Sequence, residues 1–163
     1  METKLLTLEY QYFARWEDLS PENQALVARA EEASSHAYSP YSHFQVGACV
    51  LLSDGQMITG NNQENAAYPS GLCAERVAFF HASSQFPQLT ITKVAIAAKP
   101  ESHTSFIPVN PCGGCRQVML EYEKKFQQPI QLITRLGDGF AVFPSCQTLM
   151  PFAFDKFSLQ NSR

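Results

Sequence analysis

A chain of 163 residues, 45% of them hydrophobic, has the length and composition of one ordinary globular domain that buries its own core. Its 12 lysine and arginine residues are scattered and are outnumbered by 15 acidic residues, which gives a formal net charge of −3. This balance argues against a nucleic-acid partner, because proteins that bind phosphate backbones usually cluster cations on one surface.

The amino-terminal stretch METKLLTLEYQYFARW carries charges within its apolar pattern and lacks the long apolar centre of a signal peptide. No stretch reaches the about 20 apolar residues that a membrane-spanning helix needs. We therefore expect a cytoplasmic protein without membrane contacts. Cysteines are expected to stay reduced in that compartment, and the chain has five, at positions 49, 73, 112, 115 and 146.

The first half of the chain predicts a strand, a helix and a hairpin. Residues 5–13 partly alternate between apolar and polar side chains and predict an edge strand. Ser20-Pro21 predicts the start of a helix, because serine caps a helix and proline suits its first position. This helix is expected to end before Ser39-Pro40. Residues 44–52 and 56–62 then predict two strands joined by a tight turn.

Helices and strands alternate in the second half of the chain. Residues 72–84 and 111–126 predict helices, and residues 93–98, 129–136 and 140–145 predict strands. This order predicts an α/β fold, a three-layer α/β/α sandwich around a mixed five-stranded sheet. We expect one domain over residues 21–163, preceded by an N-terminal extension over residues 1–20.

Cys112 and Cys115 flank two glycines in the stretch NPCGGCRQ. Such a pair can be half of a metal site, a redox dithiol or a disulfide, although an odd number of reduced cysteines disfavours the disulfide. The glycines let the chain curl so that both thiolates reach one ion. Cys73, in GLCAERVAF, also lies where a helix is predicted to begin, and the backbone N–H groups there stabilise a thiolate.

Glu75 and Arg76 follow Cys73 closely and suggest a reactive site. Three thiolates leave one of the four positions around zinc open, as in catalytic rather than structural zinc sites. A carboxylate beside that position can act as general acid and base in a hydrolysis, which is the role predicted for Glu75. Three thiolates also leave the zinc centre with a net charge of about −1, and hydrogen bonds from Arg76 would relieve that charge.

These motifs together resemble the cytidine deaminase family, in its small branch with three zinc-binding cysteines and a homotetrameric assembly. CAER at 73–76 and PCGGCRQ at 111–117 carry the resemblance, and SPYSHFQVGA (39–48), GNNQENAAY (60–68) and LMPFAF (149–154) extend it. The resemblance implies zinc-dependent hydrolytic deamination of cytidine and 2′-deoxycytidine to uridine and 2′-deoxyuridine in pyrimidine salvage. It also implies one Zn²⁺ per subunit and a homotetramer with shared active sites.

The resemblance assigns roles to individual residues. Glu75 is the expected proton shuttle, Arg76 the expected modulator of the zinc charge, and Asn62 and Glu64 the expected pair that binds the sugar. Phe44 is expected to pack by the pyrimidine ring, the backbone around Ala74 to contact the base edge, and Phe154 to reach a neighbouring subunit's site. The zinc ligands are expected to be Cys73, Cys112 and Cys115.

Other functions remain compatible with parts of this pattern. A structural zinc domain would need a fourth protein ligand, for which Cys49 or Cys146 is the candidate, although both look like packing or loop cysteines. A nucleic-acid-editing deaminase would use the same chemistry on a larger substrate, against which the acidic charge balance argues. A deaminase of a modified cytosine nucleoside such as blasticidin S is a third possibility. The four histidines lack the spacing of metal ligands.

Overall fold

A mixed sheet of six strands forms the centre of the protein, in a computed structural model that describes residues 1–160. The strands lie in the order β1-β6-β5-β4-β2-β3, with β4 and β5 parallel and all other neighbours antiparallel. Their bounds are β1 Gln11–Phe13, β2 Phe44–Leu52, β3 Met57–Asn61, β4 Ile91–Pro100, β5 Gln131–Leu136 and β6 Gly139–Phe143.

Helices cover both faces of the sheet, as the sequence predicts. They are α1 (Pro21–Ser34), α2 (Ala74–Gln85), α3 (Gly113–Phe126) and the short α4 (Lys156–Gln160). Successive residues of β2 serve opposite faces: Cys49 joins the buried cluster under α1, whereas Val50 joins the cluster shared with α2 and α3. The three-layer α/β/α architecture is therefore confirmed.

The sheet has six strands where five were predicted. The additional strand, β1, belongs to the N-terminal extension and pairs antiparallel with β6, from Gln11 opposite Val142 to Phe13 opposite Phe140. Residues 1–10 are exposed and precede this pairing, so the edge strand expected over residues 5–13 is limited to its last three residues.

The helices that carry the cysteines begin slightly later than predicted. Cys73 and Cys112 are the N-cap residues of α2 and α3, and both have extended backbone conformations. The N-cap is the residue directly before the first helical residue. Its side chain therefore lies at the N-terminus of the helix, where the backbone N–H groups have no helical partner. α1 ends at Ser34, a few residues before the predicted end at Ser39-Pro40.

Two glycines allow helices to approach the sheet closely. A Cβ atom at Gly47 would collide with the backbone of Ala30 in α1, and one at Gly60 would collide with the backbone of Ala78 and Ala74 in α2. In the β2–β3 ladder Gly60 pairs with Ala48, the neighbour of Gly47, so both close approaches occur at the same level of the sheet. The contact at Gly60 fixes the first turns of α2 against β3.

Within residues 1–160, no helix combines the length and the apolar character needed to cross a membrane. The division into an extension over residues 1–20 and a domain over residues 21–163 stays a prediction. The last three residues of that domain lie outside the described residues.

Candidate active site

The N-termini of α2 and α3 bring three cysteines together. Cys73 caps α2, Cys112 caps α3, and Cys115 is the third residue of α3 and is fully buried. Neither cap side chain is used in a capping hydrogen bond, so both sulfur atoms remain available at the helix ends. The dipoles of both helices favour negative charge at this point, which stabilises thiolates.

The spacing of the three sulfur atoms fits one zinc ion. Cys73 Sγ lies 3.9 Å from Cys112 Sγ, and Cys112 Sγ lies 3.5 Å from Cys115 Sγ. All three ligand atoms lie within 4.8 Å of one another. Tetrahedral zinc with Zn–S bonds of about 2.3 Å places two sulfur ligands about 3.8 Å apart, so these cysteines can hold the ion with little rearrangement.

The surroundings of Cys73 favour its thiolate. The hydrogen bond with Cys115, followed by that with the Arg76 guanidinium, lowers the pKa of Cys73 to about 5. The same contact with Cys73 raises the pKa of Cys115 above its usual range. Arg76 Nη2 lies 3.9 Å from Cys73 Sγ and also donates to the Gly71 carbonyl at 3.2 Å. The predicted contact of Arg76 with the thiolate cluster is therefore present.

Glu75 is the second residue of α2 and is only 5% exposed. Burial, together with the negative charge of Cys73, raises the pKa of its carboxyl group. A general acid–base group is most effective when its pKa approaches the working pH, so this environment suits a carboxyl group that accepts and returns a proton.

A cleft of about 780 Å³ opens beside the cysteine cluster. One part of its wall comes from the start of α2, and another comes from the start of β2 and the loop after β3. The predicted residues that line it are Phe44, Asn62, Glu64, Cys73, Ala74, Glu75, Arg76 and Cys112. Sulfur ligands, a buried carboxyl group and polar residues suited to a sugar therefore face one cavity.

Glu64 is held by the backbone of the loop before β2. Its Oε2 accepts hydrogen bonds from the backbone N–H groups of Tyr41 at 2.9 Å and Ser42 at 3.2 Å. The hydrogen bond with Ser42, followed by that with Tyr41, lowers the pKa of the carboxyl group. Glu64 is therefore an oriented carboxylate at the cleft, able to accept a hydrogen bond from a ligand hydroxyl.

Asn62 is more strongly engaged with the protein than the sequence suggests. β3 ends at Asn61, one residue before the predicted end of this strand at Asn62, so Asn62 and Glu64 both follow the strand. The Asn62 side chain accepts from Val46 N–H at 2.8 Å and donates to the Phe44 carbonyl at 2.9 Å. The Asn62 side chain therefore bonds to the backbone at the start of β2, and among residues 1–160 no bond is seen to the second N–H of its amide, which lines the cleft.

The observation that decides the family is a match over most of the chain. A protein-family model with the description "Cytidine and deoxycytidylate deaminase zinc-binding region" matches residues 20–127, which include the three cysteines and Glu75. The chain belongs to this family of deaminases. Its motif-based resemblance to cytidine deaminases is confirmed.

Proteins and structures named cytidine deaminase match this chain over most of their own length. Cytidine deaminase of Sporosarcina psychrophila is 39% identical over 136 residues, which cover 83% of this chain and 93% of that protein. The crystal structure of cytidine deaminase from Burkholderia pseudomallei has a TM-score of 0.68 at 34% identity and covers 80% of this chain and 97% of its own. The crystal structure of cytidine deaminase from Mycobacterium tuberculosis has a TM-score of 0.66 at 31% identity and covers 83% of this chain and 99% of its own.

Two of the five cysteines, Cys49 and Cys146, lie outside the cluster of cysteines that can bind a metal ion. Cys49 is buried under α1, and burial raises its pKa to about 12. Cys146 is buried beside Met119, with the two sulfur atoms 3.5 Å apart. Neither belongs to the cluster of Cys73, Cys112 and Cys115, so neither supplies the fourth ligand that a structural zinc site would need.

Phe154 lies outside the cleft of its own chain. It is 61% exposed, and its carbonyl accepts a hydrogen bond from Gln117 Nε2 at 2.8 Å. Its expected contribution to a neighbouring subunit's site stays a prediction.

Sequence reasoning about the deaminase site missed several residues of the cleft. Tyr41 and Tyr68 meet edge to face at its rim, with ring centroids 6.3 Å apart. Asn110 lines the cleft two residues before Cys112. All three lie within or next to the motif segments that carried the resemblance, so adjacency to those segments was the available signal.

Replacing Asn62 by alanine is expected to lower the free energy of unfolding by about 1–2 kcal/mol and to raise KM. The variant removes one acceptor and one donor from the start of β2, where Phe44 lines the cleft. Urea unfolding and steady-state kinetics measure the two effects. Asn61→Ala is the matched control, because the Asn61 side chain bonds to the exposed Gln63 and not to β2. Equal effects in both variants would contradict the assigned role.

Proposed function

We propose that the protein hydrolyses the C4 amino group of cytidine and 2′-deoxycytidine, which releases ammonia and leaves the uracil nucleoside. The observation that carries this proposal is the position of Glu75, a buried carboxyl group next to a three-cysteine cluster and open to the same cleft. Membership of the deaminase family and the names of the relatives support the same reaction.

Cys73, Cys112 and Cys115 would hold one zinc ion. When bound there, zinc supplies Lewis-acid activation of the attacking water. Arg76 compensates part of the negative charge of the three thiolates through its contact with Cys73, so that less of that charge opposes the activation.

Glu75 moves protons between water and the base. Its carboxylate accepts a proton as water adds to C4 and delivers that proton to N3 of the cytosine. It then transfers the proton of the new C4 hydroxyl group to the amino group, which leaves as ammonia while the C4 carbonyl forms. One residue can do this because each transfer uses the same oxygen atoms at a fixed position on α2. Burial raises the pKa of this carboxyl group above its usual value, which makes the carboxylate a stronger proton acceptor than an exposed glutamate.

The remaining residues of the cleft orient the nucleoside. Glu64 accepts a hydrogen bond from a sugar hydroxyl, with Asn62 beside it, and Phe44 packs against the pyrimidine ring. Ala74 is the first residue of α2, where backbone N–H groups have no intrahelical partner, so its N–H can donate to the base edge. Phe154 would complete the site of a neighbouring subunit.

We also propose a cytoplasmic homotetramer that acts in pyrimidine salvage. The exposed Phe154 and the resemblance to the tetrameric branch support the assembly. Size-exclusion chromatography with light scattering is expected to give a mass about four times the 18.2 kDa of the chain. A monomer with full activity would contradict the shared site.

The deciding experiment combines metal analysis with assays on both nucleosides. We expect about one zinc per chain, a loss of absorbance with cytidine and with deoxycytidine, and an equal amount of ammonia. Zinc without turnover of any nucleoside would favour a structural zinc domain. Turnover confined to oligonucleotides, or to blasticidin S, would favour one of the other deaminases.

Replacing Arg76 by alanine is expected to lower kcat about 10- to 100-fold while the fold is kept. The reason is the loss of the positive charge next to Cys73. Steady-state kinetics and circular dichroism measure activity and fold. Arg29→Ala serves as the control, because Arg29 pairs with Glu32 on the exposed side of α1. Unchanged kinetics in the Arg76 variant would remove this role.

A further inference from the structure

The loop that carries Cys112 receives little support from its own side chains. Gly113 and Gly114, the first two residues of α3, contribute no side chain, and a Cβ atom at either position would meet nothing within 4 Å. Asn110 and Cys112 are exposed, whereas Pro111 between them is buried. The Cys112 backbone is held by the buried Pro111 before it and by the Arg116 backbone N–H, which donates to the Cys112 carbonyl at 3.0 Å. Side-chain hydrogen bonds to the loop backbone add to this support.

Arg116 makes such hydrogen bonds. Its Nε donates to the Pro111 carbonyl at 2.9 Å, directly before Cys112. Its Nη1 donates to the Leu149 carbonyl at 3.2 Å, at the end of the 3-10 turn Cys146–Leu149. The rigid, planar guanidinium fixes the two carbonyl groups relative to each other, which a flexible lysine ammonium cannot do.

The two arginines near the cluster differ in what they contact. Arg76 reaches a ligand atom, because its Nη2 lies 3.9 Å from Cys73 Sγ. The side-chain hydrogen bonds of Arg116 go to backbone carbonyls before Cys112 and in the C-terminal part of the chain. Arg76 therefore acts on the charge of the thiolates, whereas Arg116 acts on the position of the loop.

We propose that Arg116 is a positioning residue for the metal site. It holds the Pro111 carbonyl so that Cys112 stays within reach of the zinc held by Cys73 and Cys115, and it links metal retention to the 3-10 turn Cys146–Leu149. A ligand held in place before binding loses zinc more slowly. This inference rests on the zinc site of the proposed function, but its readout is metal loss, so it can be tested even if no nucleoside is deaminated.

The test measures zinc release from the full-length, zinc-loaded protein into a colorimetric chelator, well below the unfolding temperature of each variant. Arg116→Lys keeps the charge and loses the planar fork, and we expect release at least about tenfold faster than in the wild type. Arg116→Gln is measured in parallel, with the same expectation, so that the test does not depend on the folding of one variant.

Gln117→Ala is the matched control for Arg116. Gln117 is the next residue of α3 and also bonds to the C-terminal part of the chain, at the Phe154 carbonyl, but its side-chain bond leaves the Cys112 loop untouched. We expect zinc release within about twofold of wild type. With cobalt in place of zinc, the visible absorption bands are expected to shift in the Arg116 variants and to stay unchanged in Gln117→Ala.

Three results would overturn the proposal. Wild-type zinc release in the folded Arg116 variants would show that the loop does not need the guanidinium. Wild-type release in Arg116→Lys alone would show that charge suffices. Equal acceleration in Gln117→Ala would assign the effect to general docking of the C-terminal part of the chain.

Discussion

Replacing Glu75 by glutamine is expected to lower kcat for cytidine by about 10⁴-fold, at the upper end of what general acid–base catalysis contributes. The amide keeps the size of the side chain on the second position of α2 but cannot accept or return a proton. The three cysteines are unchanged, so the zinc content is expected to stay at about one per chain. Kinetics at saturating nucleoside and metal analysis of the same preparation measure both.

The same variant is expected to be at least as stable as the wild type at neutral pH. Burial raises the folded-state pKa of Glu75 above its unfolded value. A raised carboxyl pKa favours folding at low pH, and this contribution is lost as the pH rises from the unfolded pKa through the folded one. At pH 7 the carboxyl group is ionised in the unfolded chain, so folding must either bury that charge or take up a proton, and a neutral amide removes this cost. Thermal unfolding measures the effect.

Glu121→Gln provides the control for both readouts. Glu121 is exposed on α3, so this substitution makes the same chemical change away from the cleft. Its activity is expected to equal that of the wild type. Activity of Glu75→Gln within about tenfold of wild type would exclude Glu75 as the proton shuttle.

Replacing Glu123 by alanine is expected to lower the free energy of unfolding by about 3–5 kcal/mol. This carboxyl group is 5% exposed and accepts from the backbone N–H groups of Ile130 at 2.7 Å, Cys146 at 2.8 Å and Gln147 at 3.1 Å. The Ser145 hydroxyl donates to it as well, at 2.9 Å. Alanine leaves these donors without their acceptor in a largely buried region, and each such donor costs about 1–3 kcal/mol.

Chemical denaturation of the zinc-saturated protein measures this effect. Glu121→Ala is the matched control, because it removes a carboxyl group two residues earlier on the same helix but from an exposed position. A loss of less than about 1 kcal/mol in Glu123→Ala, the size of an average substitution, would show that other acceptors replace the carboxyl group.

The metal cluster could be predicted because each of its two halves is marked by local sequence, and the resemblance to cytidine deaminases joins the halves across 39 residues. Cys73 and Cys112 each stand at a helix start that their neighbours mark, and the short spacing between Cys112 and Cys115 allows few other arrangements. Glu75 follows from its distance to Cys73 along one helix. The α/β/α layers follow from the order of apolar segments and from the turn residues between them.

Features that join distant parts of the chain were not predictable in the same way. Asn62 bonds to the backbone of β2 sixteen and eighteen residues away, and Glu123 bonds to a segment more than twenty residues later. Such contacts depend on how the elements pack, which no local pattern encodes. The edge strand near the N-terminus was predicted from its alternating pattern, but its pairing with β6, which joins two distant parts of the chain and adds a sixth strand to the sheet, was not.

The close approaches at Gly47 and Gly60 carry a consequence for screens of random variants. Neither residue lines the cleft, yet any side chain at Gly60 must push α2 away from β3 and displace Cys73 and Glu75 with it. A screen that scores only deamination would therefore group Gly60 with the catalytic residue Glu75. A parallel screen that scores protein abundance would separate them, because a side chain at Gly60 impairs folding whereas glutamine at Glu75 does not.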